Sequence, residues 1–99
     1  MTNLRRSTYK SEKWKDAVRS LECCVMCGKY GVQVAHRNQG KGMGLKVDDC
    51  LTAALCPECH HEIDNGKQYT REDRRELMDN MILRTIVELV HRGIIGVKS

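Results

Sequence analysis

Two Cys-x2-Cys pairs, Cys24 with Cys27 and Cys56 with Cys59, constrain this chain more than any other feature of it. Two such pairs in one small chain are the donor set of a tetrahedral zinc site. Four thiolates fill the coordination sphere and leave no open position, so the expected role of the ion is structural. The pairs are 28 residues apart, enough for a β-hairpin to hang from the metal. Cys23 competes with Cys24 as first ligand. Cys24 leaves the preferred two-residue gap to Cys27, and Gly28 permits the tight turn that follows. Cys50 is read as a small buried hydrophobe and not as a ligand.

A chain of 99 residues is enough for one domain and not for two. Aromatic residues make up only 4% of it and Phe is absent. A core so poor in bulky fillers is marginal without help, and a structural metal is one remedy. Six cysteines could instead form disulfides in a secreted protein. The first twenty residues argue against that, because Arg5, Arg6, Lys10, Lys13, Lys15 and Arg19 interrupt any apolar run a signal peptide would need. No stretch approaches the roughly 20 apolar residues of a membrane span. A reducing, cytoplasmic setting is expected. Net charge is a modest +4, but the basic start of the chain, set against only Glu12 and Asp16, is a weak pointer to a polyanion.

Residues 1 to 10 read as a flexible basic arm. Trp14, Ala17, Val18 and Leu21 recur at helical spacing behind Ser11, a suitable N-cap, so a short helix is expected there. Trp14 is read as a core anchor. Val32 to Ala35 favours a strand that ends at His36. Gly40, Gly42 and Gly44 make a loop of residues 37 to 46, and Lys41 and Lys46 make it basic. A second strand, Cys50 to Leu55, leads into the second Cys pair. Pro57 suits the first position of a helix running to Asp64, and Asn65-Gly66 is a turn. Thr70 to Asp73 resembles a capping box with Asp in place of Glu. Behind it, Leu77, Met78, Met81, Ile82, Thr85, Ile86, Leu89 and Val90 form the apolar stripe of a long helix over 70–92 that ends at Gly93. Residues 94 to 97 either add a short strand or pack down.

With the thiols assigned to zinc, His36, His60, His61 and Asp64 are free for other work. A lone His at a strand end is usually structural, but His36 precedes a basic Gly-rich loop, and His60 directly follows a zinc ligand. On the Pro57 helix His60 and Asp64 stand at i and i+4, on one face, where they could hold a hard, open cation site completed by waters. One imidazole to activate water, beside one cation to stabilise a leaving oxyanion, is a minimal phosphodiesterase.

The order helix, knuckle, strand, His, loop, strand, Cys-x2-Cys-His, helix resembles the HNH, or ββα-metal, nucleases that carry a four-Cys zinc. The resemblance runs from about Ser11 to Asp64. Through Ala35-His36-Arg37 and Cys59-His60-His61-Glu62-Ile63-Asp64 the chain is similar to small phage and prophage nucleases of the YbcO-like type. It implies an α+β fold, a zinc-stapled ββα-metal core over residues 11–64, preceded by a short helix within it and followed by the long C-terminal helix. It implies His36 as general base, His60 as a ligand of a catalytic divalent cation such as Mg2+, and Asp49 as the nearest match to the Asn that braces the loop and orients the base. Many members carry Asp immediately before the base as a second metal ligand; this chain has Ala35. Asp64 is then the expected second ligand, with His61 as the alternative. The implied activity is endonucleolytic cleavage of DNA to a 5′ phosphate in a bacterial cytoplasm, with Arg37, Lys41 and Lys46 holding phosphates. The rival readings are a zinc-stapled nucleic-acid-binding module without catalysis, and a protein-interaction module that docks through its long helix.

Overall fold

The first helix starts where the local chemistry says it should. Ser11 is extended, and its Oγ accepts the Trp14 N–H at 3.0 Å, so α1 runs over Glu12–Arg19. Glu12 lies in its first turn and Arg19 in its last, both favourable against the helix dipole. The computed structural model describes residues 8–37 and 47–97. Lys41, Lys46, the loop glycines and the arm before residue 8 lie outside the described residues. Within the expected arm, Tyr9 is tied on both sides: its N–H donates to Asp48 Oδ1 at 2.8 Å and its carbonyl accepts the Asp49 N–H at 2.9 Å. The Tyr9 ring also meets Trp14 edge to face, and Trp14 packs, half-buried, against the core.

After α1 the chain turns into the first knuckle. Cys24 N–H donates to Lys29 O, and Gly28 N–H returns to Cys24 O, both at 2.8 Å. Gly28 sits at φ 83°, a left-handed conformation that glycine adopts without a steric penalty. Two short strands follow, β1 (Gln33–His36) and β2 (Thr52–Leu55), paired antiparallel with Gln33 opposite Leu55 and His36 opposite Thr52. β2 passes directly into α2 (Pro57–Asn65), and α3 (Arg71–His91) completes the order.

The hairpin is the middle of the molecule, because side chains alternate across a strand. On one side Ala35, Ala53 and Leu55 pack with Ile63 of α2 and Met78, Met81 and Ile82 of α3. On the other side Ala54 packs with Val18 and Leu21 of the α1 segment and with Leu89, backed by Val34. All four residues of β2 are buried. The polar groups of Ala54 turn away from β1: its N–H donates to Thr85 Oγ1 at 3.1 Å, and its carbonyl accepts the Val25 N–H at 3.0 Å. Thr85 Oγ1 in turn donates to Met81 O at 2.8 Å, which satisfies a hydroxyl that is wholly buried.

α3 begins on the expected cap, with Thr70 Oγ1 accepting the Asp73 N–H at 3.0 Å. It ends in a Schellman motif: Gly93 adopts φ 73°, Ile94 N–H reaches Leu89 O at 2.9 Å and Gly93 N–H reaches Val90 O at 3.0 Å. The tail packs down through Ile95 and forms no strand among the described residues. No described helix is long and apolar enough to cross a membrane. The architecture is α+β: a short helix, a hairpin, a helix and a long C-terminal helix, with the four cysteines bridging hairpin and helix.

Candidate functional site

Cys24, Cys27, Cys56 and Cys59 bring their four sulfurs within 4.8 Å of one another. Their chemistry fits a tetrahedral metal. Metal–sulfur arms of about 2.3 Å give a tetrahedron with edges of about 3.8 Å, and Cys27 Sγ lies 3.7 Å from Cys56 Sγ. All six cysteines are free of disulfides. Cys23 is exposed and outside the cluster, so the two-residue gap decided the competition with Cys24; Cys50 is half-buried and also outside it.

The local backbone turns amide groups toward two of these sulfurs. Met26 N–H and Cys27 N–H point at Cys24 Sγ at 3.4 and 3.5 Å, and Cys59 N–H points at Cys56 Sγ at 3.5 Å. Burial pushes the Cys24 thiol up, but the amide groups of Cys56, Cys27 and Met26 together outweigh it and bring it down to about 7. Burial, reinforced by the neighbouring thiols, holds Cys59 well above the ordinary thiol range, and burial raises Cys56 as well. Four sulfurs so close cannot all ionise unless a cation shares them. Cys56 has a second duty, since it is the N-cap of α2.

The histidines form two pairs. At the far end of β1, His36 Nε2 lies 2.9 Å from Asp49 Oδ1, and Asp49 Oδ2 accepts the Ser11 N–H at 2.7 Å. Asp49 is nearly buried, and its His36 hydrogen bond, with the Ser11 N–H, holds its carboxyl below the usual carboxylate range. On α2, His60 Nε2 lies 3.1 Å from Asp64 Oδ2, and its Nδ1 lies 2.9 Å from Gln33 Oε1. Asp64 is therefore the residue that faces His60, while His61 is exposed. The Gln33 amide and the Asp64 carboxylate thus each hold one ring nitrogen of His60. Ala35 has no exposed surface and is spent on the hairpin core.

Gln33 and His36 stand at the two ends of β1, roughly 10 Å apart at about 3.3 Å per residue. α2 starts beside Gln33, and Asp64 lies one helical turn beyond His60. Asp64 and Arg37, the neighbour of His36, line the same cavity. Arg37 Nε donates to Asp79 Oδ1 at 2.7 Å, and its Nη2 to Asp79 Oδ2 at 3.3 Å. This hydrogen-bonded pair raises the Arg37 guanidinium further.

Gln33 and Asp79, the partners of His60 and Arg37, were not legible in the sequence. Each acts across 27 or 42 residues of chain, and no local spacing marks it. The fold and these groups define a small α+β protein built round a four-cysteine cluster suited to a metal. No family model, no curated protein and no solved structure matches the chain.

Proposed function

We propose that this protein is a metal-dependent DNA endonuclease of the HNH type, stapled by a structural zinc on Cys24, Cys27, Cys56 and Cys59. The observation that carries the reading is the pairing of two histidines of one hairpin–helix unit with carboxylates, His36 with Asp49 and His60 with Asp64. The His36 Nε2–H donates to Asp49, which leaves Nδ1 to take a proton from water. Asp49, held ionised, fixes that tautomer and stabilises the imidazolium that forms. The activated water attacks phosphorus in line, the bond to the 3′ oxygen breaks, and the products are a 5′ phosphate and a 3′ hydroxyl protonated from solvent. His60 and Asp64 are the residues that would hold a divalent cation such as Mg2+, with Asp64 in the role of the carboxylate that Ala35 cannot supply. Bound there, the ion supplies charge stabilisation at phosphorus and at the departing oxygen. Arg37, Lys41 and Lys46 are the proposed phosphate contacts beside the base. The test is a supercoiled plasmid incubated with purified protein and a series of divalent metals. Nicking with at least one metal is expected. No nicking with any of them would leave the non-catalytic zinc-stapled DNA-binding module as the better reading.

A further inference from the structure

A cavity of about 350 Å3 opens between the end of α2 and the start of α3. Arg37, Arg71, Arg74 and Arg75 line it against a single carboxylate, Asp64, over a floor of Ile63 and Met78. The three arginines of α3 stand within its first turn and a half, where the helix dipole favours acids and disfavours bases. Arg71 and Arg75 are also one turn apart on one face, so their like charges repel. Both are exposed, and their side chains have no hydrogen-bond or ion-pair partner among the described residues. Arg74 Nη1 donates to Asp64 O at 2.9 Å, while its buried Nε has no hydrogen-bond partner among the described residues. Glu72 and Asp73 occupy the same first turn and answer the helix dipole, but neither lines the cavity, whose walls carry four guanidinium groups against one carboxylate.

We propose that this cavity seats a backbone phosphate of duplex DNA, bound by the Arg71 and Arg75 guanidinium groups. Guanidinium groups meet phosphate oxygens through paired N–H donors, the recognition for which arginine is suited over lysine. The proposal rests on the endonuclease reading for its choice of polyanion. The cavity shares Asp64 with the proposed cation pair and Arg37 with the His36 end of β1, so the phosphate it holds neighbours the one attacked. These contacts carry no base information; they fix the duplex on the protein.

The experiment is a fluorescence titration of the full chain with a labelled duplex in a salt series, without added divalent cation. The variants are R71Q/R75Q and, as a control that removes the same charge from α1, K13Q/R19Q. Circular dichroism confirms that each folds like the parent. R71Q/R75Q is expected to bind about tenfold to a hundredfold more weakly near 0.1 M salt, with the slope of log K against log salt reduced by about two. K13Q/R19Q is expected to stay within about threefold of the parent, apart from the general screening of charge. Equal losses in the two variants, or no loss in R71Q/R75Q, would overturn the proposal, as would a parent that binds no duplex. A single strand or an RNA of equal length that binds more tightly and shows the same variant effect overturns the assignment to duplex DNA. Failure of the enzyme reading looks different: the parent binds duplex, R71Q/R75Q loses that binding, and no metal supports nicking. In that case the phosphate seat stands without the catalysis.

Discussion

Where β2 runs into α2, four sulfurs crowd within 4.8 Å, and two of them, on the buried Cys24 and Cys56, receive amide N–H groups. At the opposite end of the same hairpin, the His36 side chain remains 30% exposed and leans on one nearly buried carboxylate. The sulfur end cannot hold its charge without a cation, so a metal bound there would couple folding to its presence. At the imidazole end one ring nitrogen is held by Asp49, and the other has no hydrogen-bond partner among the described residues. A fold this thin in aromatic residues separates the two tasks by placing soft donors where the chain must be rigid and nitrogen and oxygen donors where charge must change.

The most severe way to break that contrast is to remove a sulfur. Cys56→Ser takes away a ligand and weakens the cap of α2 together, and a structural zinc contributes on the order of 10 kcal/mol in small domains. The variant, like the parent treated with a strong chelator, is expected to lose its cooperative melting transition by circular dichroism. A C56S protein that melts like the parent would show that the cluster is not what holds the fold.

Next in size are the histidines, where activity and not stability should fall. His36→Ala is expected to slow plasmid nicking on the order of 10²- to 10⁴-fold, with zinc content and melting temperature close to the parent's. His60→Ala and Asp64→Ala should also abolish nicking but weaken binding of the second divalent ion, read by calorimetry, while zinc content by elemental analysis stays unchanged. If His36→Ala nicks at the parental rate, the base is elsewhere.

Asp49 lies between the extremes, since it serves both stability and the orientation of His36. Its carboxyl is depressed in the folded state, so its contribution is complete above the ordinary carboxylate range near 4 and is lost as pH falls through the lower folded value. Asp49→Asn is expected to cost about 1–3 kcal/mol at neutral pH. The gap between parent and variant in urea unfolding should close on acidification; a gap that stays constant to pH 3 would rule out the linkage. The smallest effect belongs to the exposed Lys29–Glu58 pair, 2.9 Å long, which joins the first knuckle to α2. Screening by solvent makes it nearly worthless, and Lys29→Ala should melt within error of the parent.

Local chemistry explains what was legible. Ser11, Thr70, Pro57 and Gly93 act on neighbours a few residues away, and the elements they punctuate begin and end within a residue or two of expectation. The second strand is shorter than the expected Cys50 to Leu55, because Leu51 N–H bonds Asp48 O at 3.0 Å and Thr52 Oγ1 bonds Asp49 O at 2.8 Å, which makes a turn of its first residues. Along α3 the stripe holds through Leu89, but Val90 is half exposed: it sits at the edge of the apolar face where the helix runs past the hairpin. The Asp49 partnership with His36 was anticipated from resemblance, and the two are now found 2.9 Å apart. The arginine-lined cavity was not anticipated, because it forms only when β1, α2 and α3 meet, and charge spacing along one helix does not announce what stands opposite.

A two-stranded sheet has an open flank on each strand, and an open flank is an invitation to any other extended chain. On β2 that invitation is withdrawn at its centre: Ala54 spends its N–H on Thr85 and its carbonyl on Val25, so helix and knuckle stand where a third strand would pair. The threonine in an otherwise apolar stripe thus supplies the hydrogen bond that lets a helix, and not a strand, cover that edge. Thr85→Val would keep the shape of the core and the cover over the edge, and would leave the buried Ala54 N–H without its acceptor, so its cost, about 1–3 kcal/mol, should appear in stability.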